Sequence, residues 1–212
     1  MKDKIDAVYR ILDSTYPDTK CALNFSNPLE LLVASILSAQ CTDERVNEIT
    51  AGLFKKYRTA SDYAAAETAV LEEEIHSTGF FRNKAKAIRE CTAMIQERHG
   101  GVVPDTMKEL DSLPGIGRKT ANLVLACGFG KAGIIVDTHV FRLARRIGLT
   151  ENTNSEKIEF DLRGIIPEAR WSRLSLLLIS HGRAVCKAKK PLCPVCSVRH
   201  QCNYFENNPV SS

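Results

Sequence analysis

The chain has 212 residues, of which 44% are hydrophobic and 25% charged, which is typical of a globular protein with one large domain or two modest ones. No apolar run approaches the roughly 18 residues that a membrane-spanning helix needs, so we expect no membrane segment. The formal net charge of +4 is compatible with a polyanionic partner without requiring one. The opening MKDKIDAVYR lacks the apolar core of a secretory signal, which predicts a cytoplasmic protein.

Hydrophobic periodicity predicts helices along almost the whole chain. In the N-terminal half, residues 5–12 form one apolar stripe and residues 88–95 form another. Between them, the segment SNPLELLVASILSAQ places Ser26 or Asn27 at a helix N-cap and Pro28 at the first helical position. Its apolar residues surround the helix axis, which predicts a buried central helix.

The C-terminal half continues this pattern. Asp105 is expected to cap a short helix at 107–110, which runs into the stretch LPGIGRKTA at 113–121. The run GIIVD at 133–137 is the only strand-like stretch, and it is too short to build a sheet. We therefore expect an all-α protein of about ten helices, with a domain boundary in the glycine-interrupted stretch 128–133.

The stretch LPGIGRKTA combines a tight turn with the start of a helix. Gly115 and Gly117 permit positive φ and the close approach of another backbone, and amides at a helix start favour an anion. This pattern predicts a phosphate site. Lys119 follows beside Arg118, where the positive potential favours the neutral, nucleophilic amine. Taken by itself, the stretch leaves Lys119 as either a solvated surface lysine or a nucleophile.

The next motif is VDTHVFR, in which Asp137 is predicted to be a helix N-cap. A further role for Asp137 would require proximity to Lys119, which sequence cannot show. His139 and His181 are interpreted as residues of helix faces rather than as catalytic groups. The basic run RLARR at 142–146 is typical of a solvated helix face.

Eight cysteines fall into two groups. Four are scattered and are interpreted as small buried hydrophobic residues without an assigned role: Cys21, Cys41, Cys91 and Cys127. Four follow the spacing C-x6-C-x2-C-x5-C: Cys186, Cys193, Cys196 and Cys202. Because no secretory signal is present, a metal site is favoured over disulfides, and four thiolates can hold zinc or an iron–sulfur cluster. The single short C-x2-C pair favours the cluster. Nearby basic residues could face a phosphate backbone: Lys187, Lys189, Lys190 and Arg199.

Four motifs follow one another along the chain: LSAQCTD at 37–43, LPGIGRKTANLVL at 113–125, VDTHVFR at 136–142, and the cysteine spacing. Together they resemble the endonuclease III family of DNA glycosylases, and the resemblance runs from about Asn24 to Cys202. Four motifs in the family's order and at its distances are far more specific than any one of them.

The resemblance implies two helical domains that flank a DNA-binding cleft. One is a six-helix barrel at 22–132, which contains a helix-hairpin-helix with its hairpin at 113–117. The other combines residues 1–21 with 133–212 and holds a 4Fe–4S cluster on the four C-terminal cysteines. The cleft would receive a base rotated out of the duplex.

The resemblance also implies roles for single residues. Lys119 stands at the position of the nucleophile and Asp137 at the position of its partner. The residues implied to bind DNA are Gln40, Phe80, Gly115, Gly117, Arg118 and Thr120. Gln40 and Phe80 would fill the space left in the base stack. The family carries leucine where this chain has Phe80, so a core contact beside a helix end is the alternative for Phe80.

The expected function is that of a bifunctional DNA glycosylase and AP lyase, which removes oxidised pyrimidines through a Schiff base on Lys119. The expected partner is damaged double-stranded DNA. We expect a monomer in the cytoplasm, associated with the nucleoid if the source is bacterial. Two alternatives stay open: a monofunctional mismatch or adenine glycosylase, and a non-catalytic DNA-binding module with structural zinc.

Overall fold

The computed structural model describes residues 1–208, and no strand occurs in that range. Its α-helices are α1 Lys2–Thr15, α2 Pro28–Leu37, α3 Asp43–Lys56, α4 Ala60–Ala64, α5 Thr68–Glu74, α6 Phe81–His99, α7 Met107–Asp111, α8 Arg118–Leu123, α9 Thr138–Ile147, α10 Ser155–Ile165, α11 Trp171–Ala184 and α12 Asn203–Asn207. The all-α prediction is confirmed. The helices beyond the expected ten include α4 and α12, whose five residues are too few for periodicity to reveal. None of the helices within residues 1–208 has the length and apolar character to cross a membrane.

The chain forms two compact units. The central unit is Cys21–Gly130, and the terminal unit combines Met1–Lys20 with the chain from Lys131 onward. The chain passes from the central unit to the terminal unit between Gly130 and Lys131, within the glycine-interrupted stretch 128–133. The domain bounds expected from the sequence stay a prediction.

The central unit packs around α2. Every residue of α2 from Leu29 to Leu37 is buried except Glu30, as predicted for a central helix. Asn27 is its N-cap and accepts a hydrogen bond from the Glu30 backbone N–H at 3.0 Å, and Pro28 opens the helix. The predicted stripe at 88–95 on α6 is fully buried in the same core.

The terminal unit has its own core, to which α1, α9 and α11 contribute. The strand-like run 133–137 enters this unit as extended chain. Two of its backbone amides bond to α11, since Gly133 N–H donates to Ser172 Oγ at 3.3 Å and Ile135 N–H donates to Ser175 Oγ at 2.9 Å. Serine hydroxyls of α11 therefore accept hydrogen bonds that the carbonyls of a neighbouring strand would accept in a sheet.

One cap prediction is wrong by a residue. The N-cap of α7 is Thr106 and not Asp105, since the Thr106 hydroxyl accepts from the Glu109 backbone N–H at 3.3 Å. The Thr106 hydroxyl also donates to the Glu109 carboxylate at 2.6 Å. Aspartate and threonine both cap helices well. The two hydrogen bonds between Thr106 and Glu109 favour Thr106, so α7 begins one residue later than expected.

Candidate active site and metal centre

The hairpin between α7 and α8 is anchored in the core on both sides of its glycine turn. Leu113 and Ile116 are buried, and the Ile116 N–H donates to the Leu113 carbonyl at 3.1 Å, which closes a four-residue turn. Gly115 occupies the third position of this turn with φ of 75°, where a side chain would be strained. A Cβ at Gly115 would also come within 2.9 Å of the Ala87 Cβ on α6. The turn therefore requires glycine on two independent grounds.

The start of α8 lies on the exposed side of this turn. Gly117 is the N-cap and supplies no side-chain acceptor, so the start of this helix has no side-chain cap. A Cβ at Gly117 would meet nothing within 4 Å, so this side of the turn is open. Open amides at a helix start suit an anion, as the sequence predicted.

Lys119 lies in the first turn of α8, beside these amides. Its side chain is exposed and makes no hydrogen bond or ion pair with the described residues. Arg118 and Thr120 are half-buried on either side. Three residues further along α8, the Asn122 amide is buried without a hydrogen-bond partner among the described residues. A π-helical turn, Val124–Gly128, continues the helix, and such turns are frequent near functional sites.

Asp137 is the N-cap of α9, as predicted. Its Oδ1 accepts from the backbone N–H groups of His139 at 2.9 Å and Val140 at 2.8 Å. The half-buried Asp137 side chain uses only this oxygen for the cap, and Oδ2 takes no part. One carboxylate can therefore hold the helix and still present an oxygen for chemistry.

His139 and His181, which the sequence analysis interpreted as residues of helix faces, are half-buried and buried, and each has a ring nitrogen near another side chain. Burial lowers the pKa of His139, whose Nδ1 lies 3.0 Å from Arg142 Nη2. Burial also lowers the pKa of His181, to about 4, and its Nδ1 lies 3.0 Å from the Tyr16 hydroxyl. Both residues lie within helices that pack in the terminal unit.

The run RLARR is only in part a solvated face, which corrects the sequence interpretation. Arg145 is exposed, but Arg142 and Arg146 reach across to the chain that leaves α11. Arg142 Nη2 donates to the carbonyls of Gly182 and Cys186, at 3.1 and 2.9 Å. Arg146 donates to the carbonyls of Lys187 and Ala188, at 2.8 and 2.9 Å. The two arginines thereby fix the start of the lysine-bearing segment 187–190.

The four C-terminal cysteines line one pocket, hereafter the cysteine pocket. The members are Cys186, Cys193, Cys196 and Cys202. Two polar groups approach its sulfurs: Arg146 Nη1 lies 3.4 Å from Cys186 Sγ, and His181 Nε2 lies 3.3 Å from Cys196 Sγ. Within residues 1–208, no three His, Cys, Asp or Glu side chains converge on a single-ion site.

The electrostatics of the cysteine pocket disfavour free thiolates. Burial raises the pKa of Cys196 to about 11, and the neighbouring thiolates add to the effect. The pKa of Cys193 is raised by burial and by the proximity of Cys186 and Cys202. A bound cationic group would reverse this balance, because metals bind the thiolate form. This donor set fits a thiolate-ligated metal group.

The four scattered cysteines lie elsewhere, in the core of the central unit, where Cys91 is buried and the other three are half-buried.

Gln40 and Phe80 lie in two separate turns of the central unit. Both are exposed, and both have left-handed backbone, with φ of 53° at Gln40 and 49° at Phe80. Phe80 is 60% exposed, so the alternative that it is a core contact is wrong. Two exposed side chains on constrained turns are suitable for insertion into a base stack.

Lys84 is a residue that the sequence analysis did not single out. It lies on α6 and is only 4% exposed, and its Nζ donates to the carbonyls of Leu37 and Thr78, both at 2.8 Å. The sequence does contain a sign that Lys84 is buried. Lys84 precedes Ile88 and Cys91 by four and seven residues, which places it on the apolar face of the helix.

The model of the HhH-GPD superfamily of base excision DNA repair proteins matches residues 33–168, and the chain belongs to this superfamily. The family resemblance inferred from the motifs is thereby confirmed.

The relatives agree over nearly the whole chain. The sequence is 51% identical to endonuclease III of Synechocystis sp., over 95% of this chain and 92% of the relative. It is 45% identical to endonuclease III of Bacillus subtilis, over 88% of this chain and 86% of the relative. It is therefore an endonuclease III homologue and an enzyme of base excision repair, a DNA glycosylase with AP-lyase activity.

Solved structures of DNA repair enzymes also match this chain in fold. The structure of a trapped endonuclease III–DNA covalent intermediate matches with a TM-score of 0.93 at 42% identity and covers 98% of each chain. A thermostable thymine-DNA glycosylase matches with a TM-score of 0.89 over 97% of this chain and 98% of its own, at 23% identity, and so shares the fold.

Proposed function

We propose that this enzyme removes oxidised pyrimidines from damaged double-stranded DNA and then cuts the strand through a Schiff base on Lys119. The observation that carries the proposal is the position of Lys119 in the helical turn that follows the open glycine hairpin, where it is exposed and has no hydrogen bond or ion pair with residues 1–208. A phosphate held by the hairpin amides would place the adjoining deoxyribose near this amine.

The reaction follows from the chemistry of an amine at that place. Neutral Lys119 Nζ attacks C1′ of the deoxyribose, the bond from C1′ to the base breaks, and the base leaves with the bonding electron pair. Opening of the sugar ring gives the protonated imine. Removal of a proton from C2′ then expels the 3′ phosphate, and water hydrolyses the imine to release Lys119.

Asp137 is proposed as the second catalytic residue. Its Oδ1 is engaged by the backbone of α9, so the carboxylate is held in place while Oδ2 is available. That oxygen would accept a proton from the attacking amine or stabilise positive charge that develops on the sugar.

DNA binding is proposed to use the hairpin and the two exposed turns. Backbone amides at Gly115, Gly117 and Arg118, with Thr120, would hold one phosphate of the damaged strand. Rotation of a base out of the duplex costs a few kcal/mol, and least for a damaged base. Gln40 and Phe80 would offset this cost by filling the vacated stack, and Phe80 would support the opposite strand by stacking.

The cysteine pocket is proposed to hold a 4Fe–4S cluster on Cys186, Cys193, Cys196 and Cys202. The donor set supports this, since four cysteine thiols line one pocket and a 4Fe–4S cluster takes four thiolate ligands. The cluster would contribute structure, while the nearby basic side chains would offset its negative charge and face the phosphate backbone of DNA. Arg146 and His181 would orient the sulfurs through the contacts at 3.4 and 3.3 Å. The monomeric state and the cytoplasmic, nucleoid-associated location stay predictions.

Borohydride trapping tests the nucleophile. The wild-type protein should form a covalent adduct with duplexes that contain thymine glycol or an abasic site, and Lys119→Gln should form none. Lys108→Gln, which changes an exposed lysine on the other helix of the hairpin, is the matched control and should trap normally. An adduct of full yield in Lys119→Gln would refute the assignment. Adducts formed only with a G·T mispair, or with adenine opposite 8-oxoguanine, would refute the oxidised-pyrimidine substrate.

A further inference from the structure

Lys84 connects the two turns that carry Gln40 and Phe80. Its first acceptor, the carbonyl of Leu37, belongs to the last residue of α2, three residues before Gln40. Its second acceptor, the carbonyl of Thr78, ends the short 3₁₀ turn His76–Thr78, two residues before Phe80. One ammonium group therefore joins two chain segments that lie about 40 residues apart in sequence.

Both turns are strained where they carry their exposed side chains. Left-handed backbone in a residue other than glycine costs of the order of 1 kcal/mol or more, and it persists only where the surroundings impose it. Among residues 1–208, the non-glycine residues with positive φ are Gln40, Phe80 and Lys190. Two of these three therefore lie in the turns that Lys84 joins.

The contacts of Lys84 suit the role of a rigid connector. A carbonyl at a helix end lacks an intrahelical donor, so both acceptors need a partner. Burial lowers the pKa of Lys84, but the neutral amine still carries two N–H donors, one for each carbonyl. The link is therefore preserved in either protonation state.

We propose that Lys84 is a positioning residue that fixes the spacing between the Gln40 and Phe80 turns, so that both side chains enter the damaged duplex as one unit. The inference rests on the proposed insertion of these two residues into DNA. It assigns Lys84 a part in recognition of duplex damage and no part in bond cleavage.

The first test compares binding to duplex and single-stranded DNA that carry the same tetrahydrofuran abasic analogue, with 2-aminopurine beside it as a reporter of unstacking. Lys84→Met, which keeps length and removes the donors, should lower the preference for duplex by about tenfold, equal to 1.4 kcal/mol. It should also reduce the fluorescence rise. Lys86→Met is the matched control, an exposed lysine on the same helix, and should behave as wild type.

The second test separates positioning from a general loss of structure. If Lys84 acts through the two turns, Lys84→Met should have no further effect on duplex preference in a protein that already carries Gln40→Ala and Phe80→Ala. An effect of equal size in that background would overturn the inference. Lys84→Gln, whose amide keeps two N–H donors on a shorter side chain, should give an intermediate loss and replaces Lys84→Met if that variant does not fold.

The outcomes also distinguish this inference from the proposed function. If the Gln40→Ala, Phe80→Ala protein loses duplex preference and Lys84→Met does not, the inference is wrong and the insertion role stands. If neither the Gln40→Ala, Phe80→Ala protein nor Lys84→Met loses the preference for duplex, the proposed insertion of Gln40 and Phe80 is wrong, and the positioning role of Lys84 is wrong with it. The Lys86→Met control should trap a single-stranded abasic site as well as the wild type does, because it leaves Lys119, Gln40 and Phe80 unchanged.

Discussion

Asp137 combines a structural and a proposed chemical role in one carboxylate. Oδ1 closes the first turn of α9 through two backbone N–H groups, so the side chain cannot swing away without loss of the cap. The same contacts hold the carboxylate in one orientation. Such rigid placement is what a proton acceptor near a reacting sugar requires.

Substitution can separate these two roles. Asp137→Asn keeps a good N-cap but removes the negative charge, so we expect the free energy of unfolding to change by less than about 0.5 kcal/mol. Glycosylase turnover should fall at least ~100-fold, the scale of a lost general base. Asp137→Ala removes the cap as well and should cost about 1 kcal/mol in addition. The measurements are thermal unfolding and single-turnover base release.

The role would be contradicted if Asp137→Asn released the base at the wild-type rate. If turnover fell only in the alanine variant, Asp137 would act through the helix cap and not through its charge. Comparison of the two variants therefore decides between capping and catalysis without reference to any other residue.

At the scale of single elements, the hairpin between α7 and α8 uses its two glycines in different ways. Gly115 is required by the turn itself, through its φ of 75° and its closeness to Ala87. Gly117 has extended backbone and open space around it, so the fold does not require glycine there. Its small size instead leaves the first amides of α8 accessible.

This difference predicts two distinct phenotypes. Gly115→Ala should destabilise the protein by roughly 1–3 kcal/mol, because the Cβ meets Ala87 in a backbone region unsuited to side chains. Gly117→Ala should unfold at nearly the wild-type temperature yet bind damaged duplex more weakly, because its Cβ would crowd a phosphate on the amides. Unfolding curves and fluorescence anisotropy check both. Normal duplex affinity in Gly117→Ala would exclude this surface as the phosphate seat.

The structure of the whole molecule depends on two separate hydrophobic cores, and the cysteine pocket lies beside one of them. Cys186, Cys196 and Cys202 pack against the core of the terminal unit, in which α1 also takes part. Arg142 and Arg146 of α9 hold the chain that enters the pocket. Loss of the proposed cluster should therefore affect the whole terminal unit.

We expect anaerobically purified protein to be brown and to contain about four iron atoms and four sulfides per chain. Cys202→Ala should lose this colour and should also unfold at lower temperature, because metal binding and folding are coupled. Cys91→Ala, which removes a buried thiol of the central unit, should keep its full iron content. A colourless wild-type protein with one zinc per chain would contradict the cluster.

Local patterns predicted much of the fold. The cap at Asp137 follows from the preference of short polar side chains for helix starts and is observed, and of the two candidates Ser26 and Asn27 the structure has Asn27. The buried helix at 28–37 follows from apolar residues on all its sides. Where two candidate caps are adjacent, as at Asp105 and Thr106, local preference does not choose between them, and the pairing with Glu109 does.

The sequence by itself determined the helical class through its periodicity and the family through its motifs, and the resemblance to that family then supplied the candidate nucleophile and thiol ligands. Only the tertiary structure decided which distant segments meet. The contact of Lys84 with Leu37 joins residues 47 apart, and Arg142 reaches Cys186 across 44 residues. Such contacts are chosen by packing and by the need of buried polar groups for partners, and neither is written in local residue order.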